Sequence, residues 1–251
     1  MKAKLEMLGV VLLLSALAGA PLAQAAKSPA DDATLTVAVT KRLRDANFDS
    51  VGVAVNNHLV MLTGAVDRLA KAERAAQIAK KTHGVTAVEN DIRVLASRSD
   101  EQIAADLTHQ IRMFPFYDIF DYVTGDVKDG VVTLRGAVHL PQRYNDYANL
   151  AKQVSGVAAV KNQLEVLPNS FFDDQIRVRV ARAIYGSPDL RSRYGFQALP
   201  PIHIIVKNGD VRLEGVVANQ LDKQLVERAA RFAGTYFRLE DNLQVEQAAR
   251  A

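Results

Sequence analysis

The chain contains no cysteine. That absence excludes disulfide bonds, thiol nucleophiles, sulfur-ligated metals and tethering to a membrane through an acylated cysteine. Histidine is scarce as well: His58, His83, His109, His139 and His203 are the five present, and no two stand at metal-ligand spacing. There is no HExxH, no Gly-x-Ser-x-Gly elbow, no phosphate loop and no dinucleotide-binding glycine pattern. Carboxylate pairs such as Asp173-Asp174 fall at helix starts, where capping accounts for them. The sequence therefore reads as that of a non-enzyme, with no catalytic residue, no metal and no cofactor. A dense basic stripe is missing too, which excludes a nucleic-acid partner.

Long apolar runs occur only near the start. Lys2 and Lys4 precede an apolar run over Leu8–Ala18, and Ala23-Gln24-Ala25 follows as a small-x-small cleavage site. Residues 1–25 are thus expected to be a signal peptide, because the run is short for a bilayer span. Export to the periplasm follows, with no transmembrane segment after cleavage and no lipoprotein anchor.

What the chain does contain is repetition. VMLTGAVDRL, VTLRGAVHLP and VRLEGVVANQ each centre on an apolar-x-Gly-x-Val core, at Gly64, Gly136 and Gly215. Thirty residues beyond each glycine stands a valine that closes a short alternating run, at Val94, Val166 and Val245. Constant spacing within copies and variable spacing between them marks tandem modules, about 75 residues each. The net charge of +3 is spread unevenly: residues 27–98 carry +3, 99–169 carry −3 and 170–251 carry +2. That order suits module docking or a basic face turned to an anionic surface.

Each copy opens on an apolar triad at helical spacing: Leu35/Val39/Leu43, Ile103/Leu107/Ile111 and Ile176/Val180/Ile184. Acidic residues before each triad (Asp31 and Asp32, Asp100 and Glu101, Asp173 and Asp174) are expected to cap the helix. Two strands around a tight turn follow, with Asn56-Asn57, Asp129-Gly130 and Asn208-Gly209 as the turn residues. The repeated glycine lies inside the second strand, where it implies a close approach of backbone, expected from the crossing helix. A second helix is expected over Leu69–Lys81, Tyr144–Val154 and Leu221–Ala233, then a closing strand (VENDIRV, VKNQLEV, LEDNLQV) parallel to the second. The fold class is α+β: three tandem αββαβ modules, each a three-stranded mixed sheet with two helices on one face.

The Gly-x-Val strand end, the amphipathic helix, Gly-Val (Gly84-Val85, Gly156-Val157) and the closing V-x-N-x-[LI]-x-V resemble the BON domain. The likeness covers roughly residues 30–247, with copies at 30–97, 99–168 and 171–247; the third has lost Gly-Val. It implies a periplasmic or outer-membrane-associated protein of a family linked with phospholipid binding, envelope integrity, osmotic stress and chaperone-like behaviour. The shared motif residues are fold residues, so no binding contact transfers by position.

Two insertions fall outside the repeat. MFPFYDIFDYV holds Phe114, Phe116 and Tyr117 in a chain with only 6% aromatics, and GSPDLRSRYGFQALPP holds Arg191, Arg193, Tyr194 and Phe196. Such aromatics complete small cores, or they sit at a membrane interface while arginines meet phosphates. These seven residues are the candidate lipid- or partner-binding positions. The expected partner is an anionic phospholipid surface, or alternatively envelope proteins held in a chaperone-like manner.

Overall fold

The structure, a computed structural model, describes residues 31–197 and 199–246. The expected signal peptide, together with residues 30 and 247 at the edges of the first and third copies, lies outside them. The first module runs α1 (Asp32–Asp45), β1 (Val51–Asn56), β2 (Leu59–Val66), α2 (Leu69–Lys80) and β3 (Ala87–Val94). The second runs α3 (Asp100–Arg112), β4 (Tyr122–Lys128), β5 (Val131–Val138), α4 (Pro141–Gln153) and β6 (Ala159–Val166). In the third, α5 (Phe171–Tyr185) leads through α6 (Pro188–Leu190) and a π-helical turn (Arg191–Gly195) to β7 (Ile202–Lys207). It finishes with β8 (Asp210–Val217), α7 (Gln220–Phe232), β9 (Arg238–Asp241) and β10 (Gln244–Val245).

Three sheets of one design result. The glycine-bearing strand lies in the middle, antiparallel to the strand before it and parallel to the one after. In the third module the closing strand is split, β9 and β10 both pairing parallel with β8. The break falls at Asn242, whose side chain turns to donate to Glu214 Oε1 at 2.9 Å. Every apolar triad is buried on the helical face that meets its sheet, and Val60/Leu62, Val132/Leu134 and Val211/Leu213 answer it from the middle strands. Alternation along those strands leaves the second sheet face free to meet something else.

Three expectations need correction. The repeated glycines do face a close approach, but from the paired strand and not from a helix. A Cβ at Gly64, Gly136 or Gly215 would overlap the carbonyl oxygen of Ser50, Tyr122 or Pro201, each at or just before the start of the antiparallel neighbour. Their φ values of 120°, 118° and 116° also lie where side-chain-bearing residues are strained. The caps differ as well. Asp31, Ser99 and Ser170 accept the first-turn N–H groups of α1, α3 and α5. Asp32, Asp100 and Asp173 instead reach across to the hairpin turn, each accepting two consecutive backbone N–H groups at 2.7–2.9 Å. Each of these aspartates stands three residues before the first member of its triad, so the device is part of the repeat. Lastly, the first hairpin turns at Asn57-His58, one place later than expected, both with positive φ.

The modules dock on one another. Between the first and second, the Gly156 N–H donates to Asp67 O at 3.0 Å and Lys152 Nζ lies 2.8 Å from Glu73. Between the second and third, the open sheet faces meet: Tyr122, Ala137, Leu167 and Ile205 form a small core of their own. The Ile204 N–H donates to Ile119 O at 2.7 Å, and Lys207 pairs with Glu165.

Candidate functional site

The aromatic insertion of the second module is chiefly mortar. Phe114 packs into the core beside Tyr147, at a ring separation of 5.4 Å, and Ile119 and Phe120 pack against the core of the third module. The Tyr117 hydroxyl meets His203 Nε2 at 2.8 Å across the junction. Burial pushes that phenol up to about 12 and pushes the His203 imidazole below its ordinary value, although carbonyls of Asp118 and Asp121 face the ring and favour its charged form. Phe116 alone of the three candidates is well exposed, and the Arg143 guanidinium covers one side of its ring at 4.7 Å.

In the third-module insertion the roles divide. Tyr194 is 3% exposed; its hydroxyl donates to Asp222 Oδ2 at 2.7 Å and accepts from the Ala218 N–H at 2.9 Å. Arg193 lies 2.5 Å from the other oxygen of Asp222, a fully buried carboxylate that needs a cation beside it. Tyr194 and Arg193 therefore hold the π-helical turn onto α7 and leave Arg191 and Phe196 at the surface. There the Arg191 guanidinium stacks over the Phe196 ring at 5.2 Å, and Phe196 is 75% exposed. Phe116 and the Arg191–Phe196 pair make no ring contact with each other among the described residues, although Tyr117 of one insertion and Pro201 of the other line a common cleft.

A third feature joins residues far apart in sequence. Asp118, Asp121 and His139 bring ligand-type atoms within 4.8 Å of one another, a geometry that suits a divalent cation. Asp121, however, already accepts from the His139 N–H at 2.8 Å, His139 Nδ1 at 2.8 Å and the Tyr147 hydroxyl at 3.2 Å, with Arg143 Nε 4.0 Å away. Its oxygens are occupied and a positive charge stands beside them. The cluster serves the fold of the insertion: buried carboxylate, ring and phenol satisfy one another.

A further exposed aromatic surface was not picked out in the sequence. Phe171 and Phe172 open α5, and Phe237 follows α7 in the stretch that replaced Gly-Val. They are 72%, 75% and 88% exposed. Phe237 lies over the hairpin turn, where a Cβ on Gly209 would meet its ring, and its N–H donates to Gly209 O at 2.9 Å. Phe172, Ile176, Arg179, Gly209, Tyr236 and Phe237 line a groove of about 530 Å³ at this end of the module. Neighbouring carboxylates are engaged: Asp173 holds the turn amides and Asp174 pairs with Arg177. Arg179 is exposed and has no ion-pair partner among the described residues. The sequence signal was available, a phenylalanine pair at a linker and Thr235-Tyr236, followed by Phe237, where other copies carry Gly-Val, but only the folded turn brings them together.

No helix among the described residues is long and apolar enough to cross a membrane. Residues 31–96, 99–168 and 172–247 each match the BON domain family. Osmotically-inducible protein Y of Escherichia coli (strain K12) is 32% identical over 145 residues, which cover 54% of this chain and 72% of that protein. Among solved structures, CdsD, a structural protein of the Type III secretion system of Chlamydia trachomatis, aligns at 14% identity over 86% of this chain and 93% of its own, with a TM-score of 0.24. The PrgH periplasmic domain aligns at 11% identity over 82% of this chain and 100% of its own, with a TM-score of 0.19. Three matched segments across the sequence, each coinciding with a helix–hairpin–helix–strand unit, make the chain a member of the BON domain family.

Proposed function

We propose that this protein is a non-enzymatic periplasmic component of the cell envelope, active in osmotic stress, that docks on anionic phospholipid surfaces. The aromatic patch of the third module carries the reading. Three phenylalanines held out from a rigid turn and helix start, with Arg179 beside them, are the equipment of an interfacial anchor: rings enter the headgroup boundary and the guanidinium meets phosphate. Arg191 over Phe196 offers a second exposed cation–aromatic pair on the same module. The relative's name supports the osmotic setting, and the expected leader at residues 1–25 supports export.

Sedimentation with phosphatidylcholine vesicles, with and without phosphatidylglycerol and across a salt series, tests this. Burying a Phe side chain contributes about 1.5–3 kcal/mol, so Phe171→Ala with Phe172→Ala is expected to weaken binding by about a hundredfold or more. Arg179→Gln should cost about 1 kcal/mol, roughly fivefold, and less at high salt. Absence of wild-type binding to the anionic vesicles at low salt would remove the proposal. Suppressed aggregation of a client protein without vesicle binding would favour the chaperone-like alternative.

A further inference from the structure

We propose that the cleft between the second and third modules binds a single-tailed amphiphile with an anionic head, of the long-chain carboxylate class. The cleft encloses about 400 Å³, within the range of small-molecule sites. Leu107 and Ile111 of α3, Val123 of β4, Pro201 and Val216 give it apolar walls. A second cavity of about 590 Å³ runs on along α3 past Ala104 and Met113 and shares Thr108 and Arg112 with the first. The two cavities adjoin at Thr108, Arg112 and Leu199, so an occupant that reaches from one into the other is a chain and not a compact ring.

The polar groups on these walls identify the head. No aspartate or glutamate lines either cavity. The Thr108 hydroxyl donates back to Ala104 O, the Thr124 hydroxyl to Arg135 O, and the Tyr117 hydroxyl meets His203. The side-chain groups on these walls left without a partner among the described residues are the Arg112 guanidinium, the Tyr122 hydroxyl, the His109 imidazole and Nδ1 of His203; the guanidinium and the phenol are hydrogen-bond donors, and no group among the four is a carboxylate. The carboxylate whose charge Tyr122 feels, Glu214, is not among the lining residues; it stands beside Arg212 and accepts from Asn242. Unpartnered donors beside apolar surface select a ligand that brings acceptors and negative charge on an apolar body.

Calorimetric titration of the full exported chain with laurate below its micellar concentration is the test, with dodecyltrimethylammonium as the cationic counterpart. The expected result is saturable binding of one laurate per chain and none of the cationic amphiphile. Arg112→Gln should weaken it at least tenfold; Arg112 is exposed, so the variant keeps its fold. Val216→Glu, which puts a negative charge on the apolar wall, should abolish it. Phe171→Ala with Phe172→Ala should leave it unchanged, which separates this site from the vesicle-binding surface. Absence of saturable heat, equal affinity for the two amphiphiles, or an Arg112→Gln titration matching wild type would each overturn the assignment.

Discussion

Replacing Gly136 by alanine tests the claim that the repeated glycine exists because one strand crosses close over another. Gly136 sits at φ 118°, a conformation that costs a residue with a Cβ about 1–3 kcal/mol. The added methyl would also overlap the Tyr122 carbonyl oxygen, a backbone atom fixed by the β4–β5 ladder. Relief requires moving β4, and with it the junction to the third module. The sum is expected to reach about 4 kcal/mol, at the diagnostic end of single-residue effects. A module of some 70 residues has roughly 3.5–10 kcal/mol of stability in total, so the loss consumes much of it. Gly234 is the internal control: its φ is 97°, yet a Cβ there meets nothing within 4 Å. Gly234→Ala should cost about 1–2 kcal/mol from conformation alone. Hydrogen exchange at Val132, Leu134 and Leu164 reads the second module directly and avoids treating a multi-module chain as two-state. Gly136→Ala should collapse protection there, while Gly234→Ala, read at Val211 and Leu213 of its own module, should lower protection only by its smaller conformational cost. If the two variants lose equal amounts, close approach is not why the glycine recurs.

Two further outcomes follow from the repeat and the junction. Asp173→Ala removes a buried carboxylate that accepts from the Asn208 and Gly209 N–H groups, with an expected loss of about 2–3 kcal/mol in urea melts and faster exchange at those two amides; the more exposed Asp32→Ala should lose less. The second concerns pH. The His203 pKa is lowered by burial, so its contribution to stability is present above 6.5, the ordinary value, and is lost as pH falls through the lower folded value. The groups facing it are Tyr117, Tyr122, Asp118 and Asp121. Asp118 is raised by burial and by the Asp121 charge, so its contribution is present below 3.8 and fades as pH rises through its raised value, while Asp31 and Asp32 are lowered, so their contributions are present above 3.8 and are lost only as pH falls below it. Protection at the second–third module junction should therefore fall from pH 7 to pH 5 in the wild type, and His203→Gln should flatten the profile. A junction indifferent to pH over that range in the wild type would contradict the buried, neutral imidazole.

The sequence by itself determined the modules. Triads at helical spacing, turn pairs such as Asn208-Gly209 and glycines at fixed offsets are short-range signals, because helix periodicity and positive φ are properties of neighbouring residues. They gave the order of elements in all three copies and the parallel closing strand. Contacts between residues far apart in sequence could not be read this way. Asp32, Asp100 and Asp173 looked like caps because only the folded module brings a helix start against a hairpin turn. Tyr194 stayed open between core and interface because nothing in its neighbourhood announces Asp222, 28 residues on. Phe171, Phe172 and Phe237 become one patch, and Arg112 comes to face a cleft, only when α5 docks on its turn and the third sheet packs against the second. Local pattern fixed what each module is. Packing between distant elements decided which side chains remain outside it and available to bind.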